Sequence, residues 1–592
     1  GQQVRLRMDV RTAPESQAHL FLLVRHGTGQ NESLTDPISS NSWSTHRRTV
    51  NLPPNTKHLA IGALIRDPGS AWVDDVELLT RKAPDDTWRR VKLRNAGFEV
   101  GERERPPPGW EVHDYPGHRA SVVAGNAAEG EQSLKLSFPR RSKLRLFDER
   151  PHPGDIVEKP IGRGLSAQVP LALYSRNGRT LRPDAAQSAE PMHARLDSLD
   201  LPHSGTDFYL ANVVVAWNVF QHFYPYFDVV ETDWTDVLGR SLRRALADRS
   251  DDEFRRTLQR LVAQLQDGHG RVSPSPVLNT EWPFALERAE GEGIFADTAS
   301  PSGIESNLCP QPGDLVVSVN GTPVENKLRY AKRHISGSPQ YKTRRALRSL
   351  AEYVDEDPSR FTLRREGKRV QCQVRRYTNV PTERLRKKRR PAPFDTLEAG
   401  TYYVDLTRLP WPQVREKLNV LSRAQNVVFD MRGYPQTGNL RIVQYLARDT
   451  LRSVRLQTPQ IIYPDRERLA GYEGIGGSYP PEEPKIDGEV AFLTNAGAIS
   501  YAEALMGVVE HYDLGTIVGG PTAGANGNIN RTALLGDYTV GWTGMRVRKP
   551  DGSQHHLVGI RPDVGAKRTI GAVKAGRDEV LRKALCVLDS TQ

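Results

Sequence analysis

Between Asp251 and Gln266, apolar residues recur at helical spacing. Phe254, Leu258, Leu261, Val262 and Leu265 fall on one face, and Ser250 with Glu253 makes a capping box at the start. Gly268 stands where a left-handed residue ends such a helix, so the pattern predicts a stop there and an exposed His269 on the tight turn beyond. Helical patterning begins upstream near Asp207. The aromatic run His222–Phe227 predicts packing against a neighbouring domain, with substrate lining as the alternative. The first 82 residues are patterned differently. Strand-like runs at Val4–Val10, His19–Val24, Arg47–Leu52, His58–Ile65 and Trp72–Leu78, separated by Gly, Pro, Asn and Ser turns, predict a β-sandwich.

Residues Trp282 to about Tyr377 are again β-rich. Pro312-Gly313-Asp314 opens the alternating strand Leu315–Val319, and Asn320-Gly321 follows as a hairpin turn. This segment resembles the PDZ signature; the resemblance implies peptide capture by strand addition, with Gly293-Ile294-Phe295 as the carboxylate loop. From Gly400 onward, strands at Thr401–Leu406, Asn426–Phe429, Glu489–Thr494 and near Gly515–Val518 alternate with helices, notably Ser500–His511. That alternation predicts an α/β layer structure with a largely parallel sheet. The fold class is therefore multidomain: an N-terminal β-sandwich, a helical segment, a PDZ-like β-rich domain and a C-terminal α/β core. The divisions are 1–145 for the β region, 146–204 for a Pro/Gly-rich connector, 205–281 for the helices, 282–380 for the PDZ-like unit, 381–397 for a basic linker and 398–592 for the α/β core.

The β region has a resemblance of its own. Gly69–Leu78 looks like the closing strand of galactose-binding-like jelly rolls, while Asn95–Glu99, Pro108-Gly109-Trp110 and Gly130–Leu136 look like the opening half. The halves stand in reverse order, so either two incomplete sandwiches lie in tandem or one is permuted. The resemblance raises carbohydrate binding as an alternative to a spacer role.

Composition narrows the field. The 592 residues are 37% hydrophobic and 26% charged, enough for real cores, and no apolar run approaches the ~18 residues of a membrane-spanning helix. The net charge of +11 permits acidic partners. Its densest run, Arg384–Arg390, reads as a solvated linker; nucleic acid is the weaker reading, because no DNA- or RNA-binding motif accompanies it. Cys309, Cys372 and Cys586 have no zinc-ligand spacing and read as isolated small buried residues, with at least one thiol unpaired within the chain by count. No metal or organic cofactor is implied. The chain opens at Gly1 without a basic-then-apolar leader, leaving a processed leader and a trimmed start both open. The localisation expected is extracytoplasmic (periplasmic, secreted or surface-attached), with the cytoplasm not excluded.

Candidate chemistry gathers in three loops of the α/β core. The buried strand Val490–Thr494 ends in a small-residue turn, and Ser500 falls at the following helix start, beyond the carboxyl edge of the sheet. A helix N-terminus there favours a developing oxyanion; a plain Ser N-cap is the alternative. Phe429-Asp430-Met431-Arg432-Gly433-Tyr434 is a second strand end, where the Gly433 N–H is a candidate oxyanion donor. The third loop, Val518–Gly527, is Gly-rich but lacks the Gly-Lys-Ser/Thr ending of a phosphate loop.

Taken with Asp267-Gly268-His269, Thr522-Ala523-Gly524, Gly559–Asp563 and Gly576-Arg577-Asp578, these loops resemble the tail-specific (C-terminal processing) peptidases and the tricorn protease core, over roughly residues 205–585. The resemblance implies a serine peptidase acting on peptides or proteins. Its serine–lysine branch places a lysine after Thr-x-Gly, where this chain has Ala525, which accepts no proton. The tricorn-like branch implies Ser500 as nucleophile, His269 as general base and then acid, and the N–H groups of Gly433 and Tyr501 as oxyanion hole. The orienting group is left open. Gly268 stands where the tricorn pattern has serine, and His556 stands nearest to the family's glutamate, so Asp267, Glu503 and His556 are the candidates. A catalytically silent peptide-binding relative and a carbohydrate-attached scaffold are the alternatives.

Overall fold

The structure, a computed structural model, describes residues 2–101, 107–110, 119–138, 151–180, 204–273, 280–299, 310–378, 390–464 and 469–590, apart from short breaks. Cys309 and Arg384–Arg389 lie outside the described residues. The chain divides into two compact units, Gly1–Leu146 and Phe147–Gln592.

In the first unit, the alternation along Gln3–Thr12 turns Val4, Leu6, Met8 and Val10 inward and the polar positions between them outward. One sheet runs in the order Ser44–Asn51, Gln3–Thr12, Gly69–Arg81, Gln132–Phe138, Arg119–Ala124, and the second in the order Gly29–Leu34, Ala18–His26, Thr56–Ile65. Their facing apolar sides share one core, in which Leu20 and Leu22 join Leu6, Val73 and Leu134. The choice left open by the sequence is resolved here. Gly69–Arg81 pairs with Gln132–Phe138, so the two reversed halves complete one sandwich.

In the second unit, helices Thr206–Phe223, Trp234–Ala247 and Asp251–Ala263 bury their apolar faces together with Leu534, Val540 and Trp542 of a later hairpin. Part of the aromatic run is packed into the core, while Phe223 is exposed. Tyr224 and Tyr226 are fully buried, and Tyr226 stacks on His556 at 3.9 Å. Two details at the end of the third helix differ from expectation. Gln266, not Gly268, takes the left-handed conformation (φ 52°), and His269 is buried at 2% exposure. Gly268 is demanded by space: a Cβ there would lie 2.6 Å from the Ala525 Cβ and 3.4 Å from Ile499.

The 282–380 segment forms a six-stranded sheet in which Asn320 and Gly321 take left-handed conformations (φ 49° and 75°) at the Leu315–Val319 turn. Gly293-Ile294-Phe295 opens the strand Gly293–Ala299 instead of forming a loop, and Ile294 and Phe295 are packed into cores. Cys372 on this sheet is disulfide-bonded and Cys586 is an exposed free thiol, so neither is the isolated buried residue the spacing suggested.

The α/β core is a six-stranded sheet ordered Phe394–Glu398, Thr401–Asp405, Asn426–Asp430, Glu489–Thr494, Thr516–Gly519, Val564–Gly565. All neighbours are parallel except the first pair. Both faces are covered by apolar side chains, which is why its strands read as unbroken hydrophobic runs. Arg390, the last residue of the basic run, is no solvated linker residue. It is partly buried and pairs with Asp405 (3.2 Å) and Asp430 (3.3 Å). Among the described residues no helix is long and apolar enough to cross a membrane.

One sandwich built from both halves has a consequence for truncation. Residues 1–146 expressed alone are expected to unfold cooperatively in denaturant. A 1–82 fragment, lacking the Gln132–Phe138 partner of Gly69–Arg81, is expected to show no cooperative transition by circular dichroism.

Candidate active site

The strand Glu489–Thr494 carries the chain to the carboxyl edge of the parallel sheet, and a short turn delivers Ser500 to the start of helix Tyr501–Tyr512. Ser500 adopts φ 58° and ψ −114°, a conformation that non-glycine residues rarely hold. Its surroundings enforce it: the Ser500 N–H donates to the Ala525 carbonyl (2.9 Å) and to Glu503 Oε2 (3.3 Å).

Glu503 is completely buried and ties three segments together. Oε1 accepts from the Thr522 hydroxyl (2.5 Å) and the Gly524 N–H (2.6 Å), and Oε2 accepts from the Ala525 N–H (2.9 Å). Thr522 Oγ1 in turn accepts from the Ile560 N–H (2.8 Å). Burial alone would raise the Glu503 carboxyl; neighbouring His555, at 3.5 Å, and these hydrogen bonds outweigh it and hold the group below its usual range.

His269 follows its helix by a short turn that packs on the Ser500 loop, with Gly268 against Ile499 and Ala525. Antiparallel pairing of Arg271 with Gly541, Val272 with Val540 and Ser273 with Thr539, continued outward, brings Thr543 opposite His269. His269 Nδ1 lies 2.9 Å from Thr543 Oγ1. Thr543 donates from its hydroxyl to Asp267 Oδ1 (2.7 Å) and from its N–H to Asp267 Oδ2 (2.6 Å). Asp267, fully buried, also accepts from the His269 N–H (3.0 Å). Burial lowers the His269 imidazole below its usual value; Asp267 opposes that shift and Arg271 adds to it. The ring is thus held neutral near pH 7. Among the hydrogen bonds of the described residues, none joins Ser500 to His269.

His556 is packed elsewhere. Its Nε2 meets the Tyr224 hydroxyl at 3.1 Å, and burial pushes the ring down to about 4, so it is a neutral core histidine.

The Gly433 loop is fixed by charge. Asp430 and Arg432 pair at 2.6 Å, and Arg432 also meets Asp578 at 2.7 Å. Arg390 donates to the Arg432 carbonyl (2.9 Å), locking the peptide that precedes Gly433. The Gly433 N–H closes onto the Met431 carbonyl (2.8 Å), so the expected oxyanion donor is engaged in a tight turn and does not face outward. Tyr434, half-exposed, sits beside Ser500: burial raises its phenol, Tyr501 adds to that, and the Ser500 hydroxyl opposes it.

The 282–380 segment reaches this site as well. Ser336 Oγ accepts from the Asp267 N–H (2.8 Å), Ser338 Oγ donates to the Ala523 carbonyl (2.6 Å), and Gln340 donates to the Thr522 carbonyl (3.1 Å). Sequence reasoning missed these three and Thr543, since only strand register and loop docking bring them in.

Ser500 thus stands in a strained backbone at a helix start beyond a parallel sheet, with His269 on the adjoining turn. Residues 401–566 match Peptidase family S41. Solved structures share the fold. Mature CPAF is 14% identical, with 65% of this chain and 98% of that chain covered and a TM-score of 0.51. Mature CPAF complexed with lactacystin is 12% identical, with the same coverage and a TM-score of 0.52. No curated protein matches the chain in sequence.

The Gly268 contact yields a paired prediction. Gly268→Ala is expected to lower stability by about 1–3 kcal/mol through overpacking against Ala525. Gly268→Ala with Ala525→Gly is expected to recover most of the loss in thermal melts.

Proposed function

We propose that this chain hydrolyses peptide bonds of peptides or proteins with Ser500 as nucleophile and His269 as general base, by a tricorn-like serine–histidine mechanism. As Ser500 Oγ bonds to the scissile carbonyl carbon, His269 Nε2 takes the hydroxyl proton. It then returns that proton to the leaving amine as the C–N bond breaks, and water repeats the cycle on the acyl-enzyme. The Tyr501 N–H, at the helix start, and the Gly433 N–H are the proposed oxyanion donors. Gly433 serves only after its peptide turns away from Met431. The observation that carries the reading is the strained Ser500 backbone beside the His269 turn.

Ala525 stands where the serine–lysine branch has its base, and its N–H is committed to Glu503 (2.9 Å), which supports the histidine reading. The PDZ-like 282–380 unit is proposed to present substrate; the strand of Gly293, Ile294 and Phe295 is paired with neighbours on both sides and two of these side chains are buried, so these three residues are not given the capture role. The N-terminal sandwich is proposed as a spacer or tether. The Cys372 disulfide supports an extracytoplasmic site of action.

A fluorophosphonate probe tests the nucleophile. Labelling is expected on the folded protein and lost in Ser500→Ala; a folded wild type that takes no label would sink the reading. The pH profile tests the base. Because burial lowers the His269 pKa and only the neutral ring accepts a proton, kcat/KM is expected to rise with pH through a midpoint below 6.5 and to hold level at neutral pH. A midpoint well above 6.5 would count against His269.

A further inference from the structure

The groups that orient the histidine in the resembled tricorn pattern are missing here, since Gly268 and His556 occupy their places. Resting on the Ser500–His269 reading, we propose that Asp267 and Thr543 act together as its orienting relay. They are positioning residues, with the threonine hydroxyl bridging carboxylate and imidazole.

The direction of each hydrogen bond follows from donor and acceptor capacity. Asp267 is surrounded by donors: the His269 N–H at 3.0 Å, the Thr543 N–H at 2.6 Å and the Thr543 hydroxyl at 2.7 Å. A carboxylate offers acceptors only, and a threonine hydroxyl has a single proton. Thr543 therefore spends that proton on Asp267 and faces His269 Nδ1, 2.9 Å away, as an acceptor. Nδ1 must carry the hydrogen, and the Nε2 lone pair is left for the Ser500 proton. When the ring gains that proton, its positive charge is felt by Asp267 through one intervening hydroxyl.

The other candidates are spent. The Glu503 oxygens are committed to Ser500, Thr522, Gly524 and Ala525, and His556 Nε2 is on Tyr224. The relay is also rigid. Asp267, Thr543 and His269 are all essentially excluded from solvent, and strand pairing of Arg271–Ser273 with Thr539–Gly541 sets the Thr543 position. Ser336, from the 282–380 segment, accepts from the Asp267 N–H at 2.8 Å and completes the support.

Thr543→Val keeps the shape and removes the hydroxyl, and Thr543→Ser restores it. On the full chain labelled with ¹⁵N-histidine, with His269→Gln identifying the signals, wild type is expected to show Nδ1 protonated and Nε2 bare. Thr543→Val is expected to lose that single tautomer, with kcat lowered on the order of 10²-fold or more and KM within about twofold. Thr543→Ser is expected to regain the tautomer and to lie within about tenfold of wild type. An Nε2-protonated ring in wild type, or a folded Thr543→Val with unchanged tautomer, kcat and pH profile, would overturn the relay. That result leaves the Ser500 reading standing, because fluorophosphonate labelling tests Ser500 without reference to Thr543. A relay-fixed tautomer in a protein whose Ser500 takes no label would instead overturn the catalytic reading.

Discussion

One buried carboxylate holds the reactive region together. Taking Glu503 out of water is costly unless its lone pairs are filled, and here they are, by Thr522, Gly524, Ala525 and Ser500 itself. Because these donors come from the Thr522–Ala525 loop and a helix start, satisfying the carboxylate forces the two into a single arrangement. The strained backbone of Ser500 is one product of that arrangement, since its N–H must serve both Glu503 and the Ala525 carbonyl. Gly559 reflects the same crowding: a Cβ there would lie 2.6 Å from Thr522 Oγ1 and 3.0 Å from Glu503 Oε1.

A second buried charge system does comparable work under the Gly433 loop. Asp430 is surrounded by Arg432 and Arg390, and their attraction outweighs burial and holds its carboxyl well below the usual range. Removing one member of such a group leaves an uncompensated buried charge. Through Arg390 it also connects the loop to the stretch of chain that follows the 282–380 segment. The peptide before Gly433 is thereby fixed at its carbonyl, and its N–H is turned inward.

Much of this was legible in the sequence, and the limits have physical causes. Strands covered on both faces give unbroken apolar runs, so the sheet around Asn426–Asp430 and Glu489–Thr494 could be read directly, and with it Ser500 at the helix start. Asn320-Gly321 was equally plain, because few residues accept left-handed conformations. Gly268 misled because glycine answers two different needs. Its position after a helix suggested a conformational stop, whereas the real demand is space against Ala525. His269 was expected to be exposed because a turn usually faces solvent, and only tertiary docking buries it. Thr543 was invisible for a similar reason. Nothing in a strand's own alternation names the strand it will pair with, and the partner here lies 274 residues away. Ser336 and Ser338, inside a segment read as a separate unit, joined the site through loop docking alone.

The central claim is that Ser500 and His269 form one reacting pair on this scaffold. The most direct test is a crystal structure of the full chain after reaction with a fluorophosphonate. The account predicts a covalent bond from Ser500 Oγ to phosphorus, His269 Nε2 within about 2.6–3.2 Å of that oxygen, and the Gly433 N–H turned toward the phosphoryl oxygen. An adduct on a different side chain, or one on Ser500 with the His269 ring walled off from it, would contradict the account.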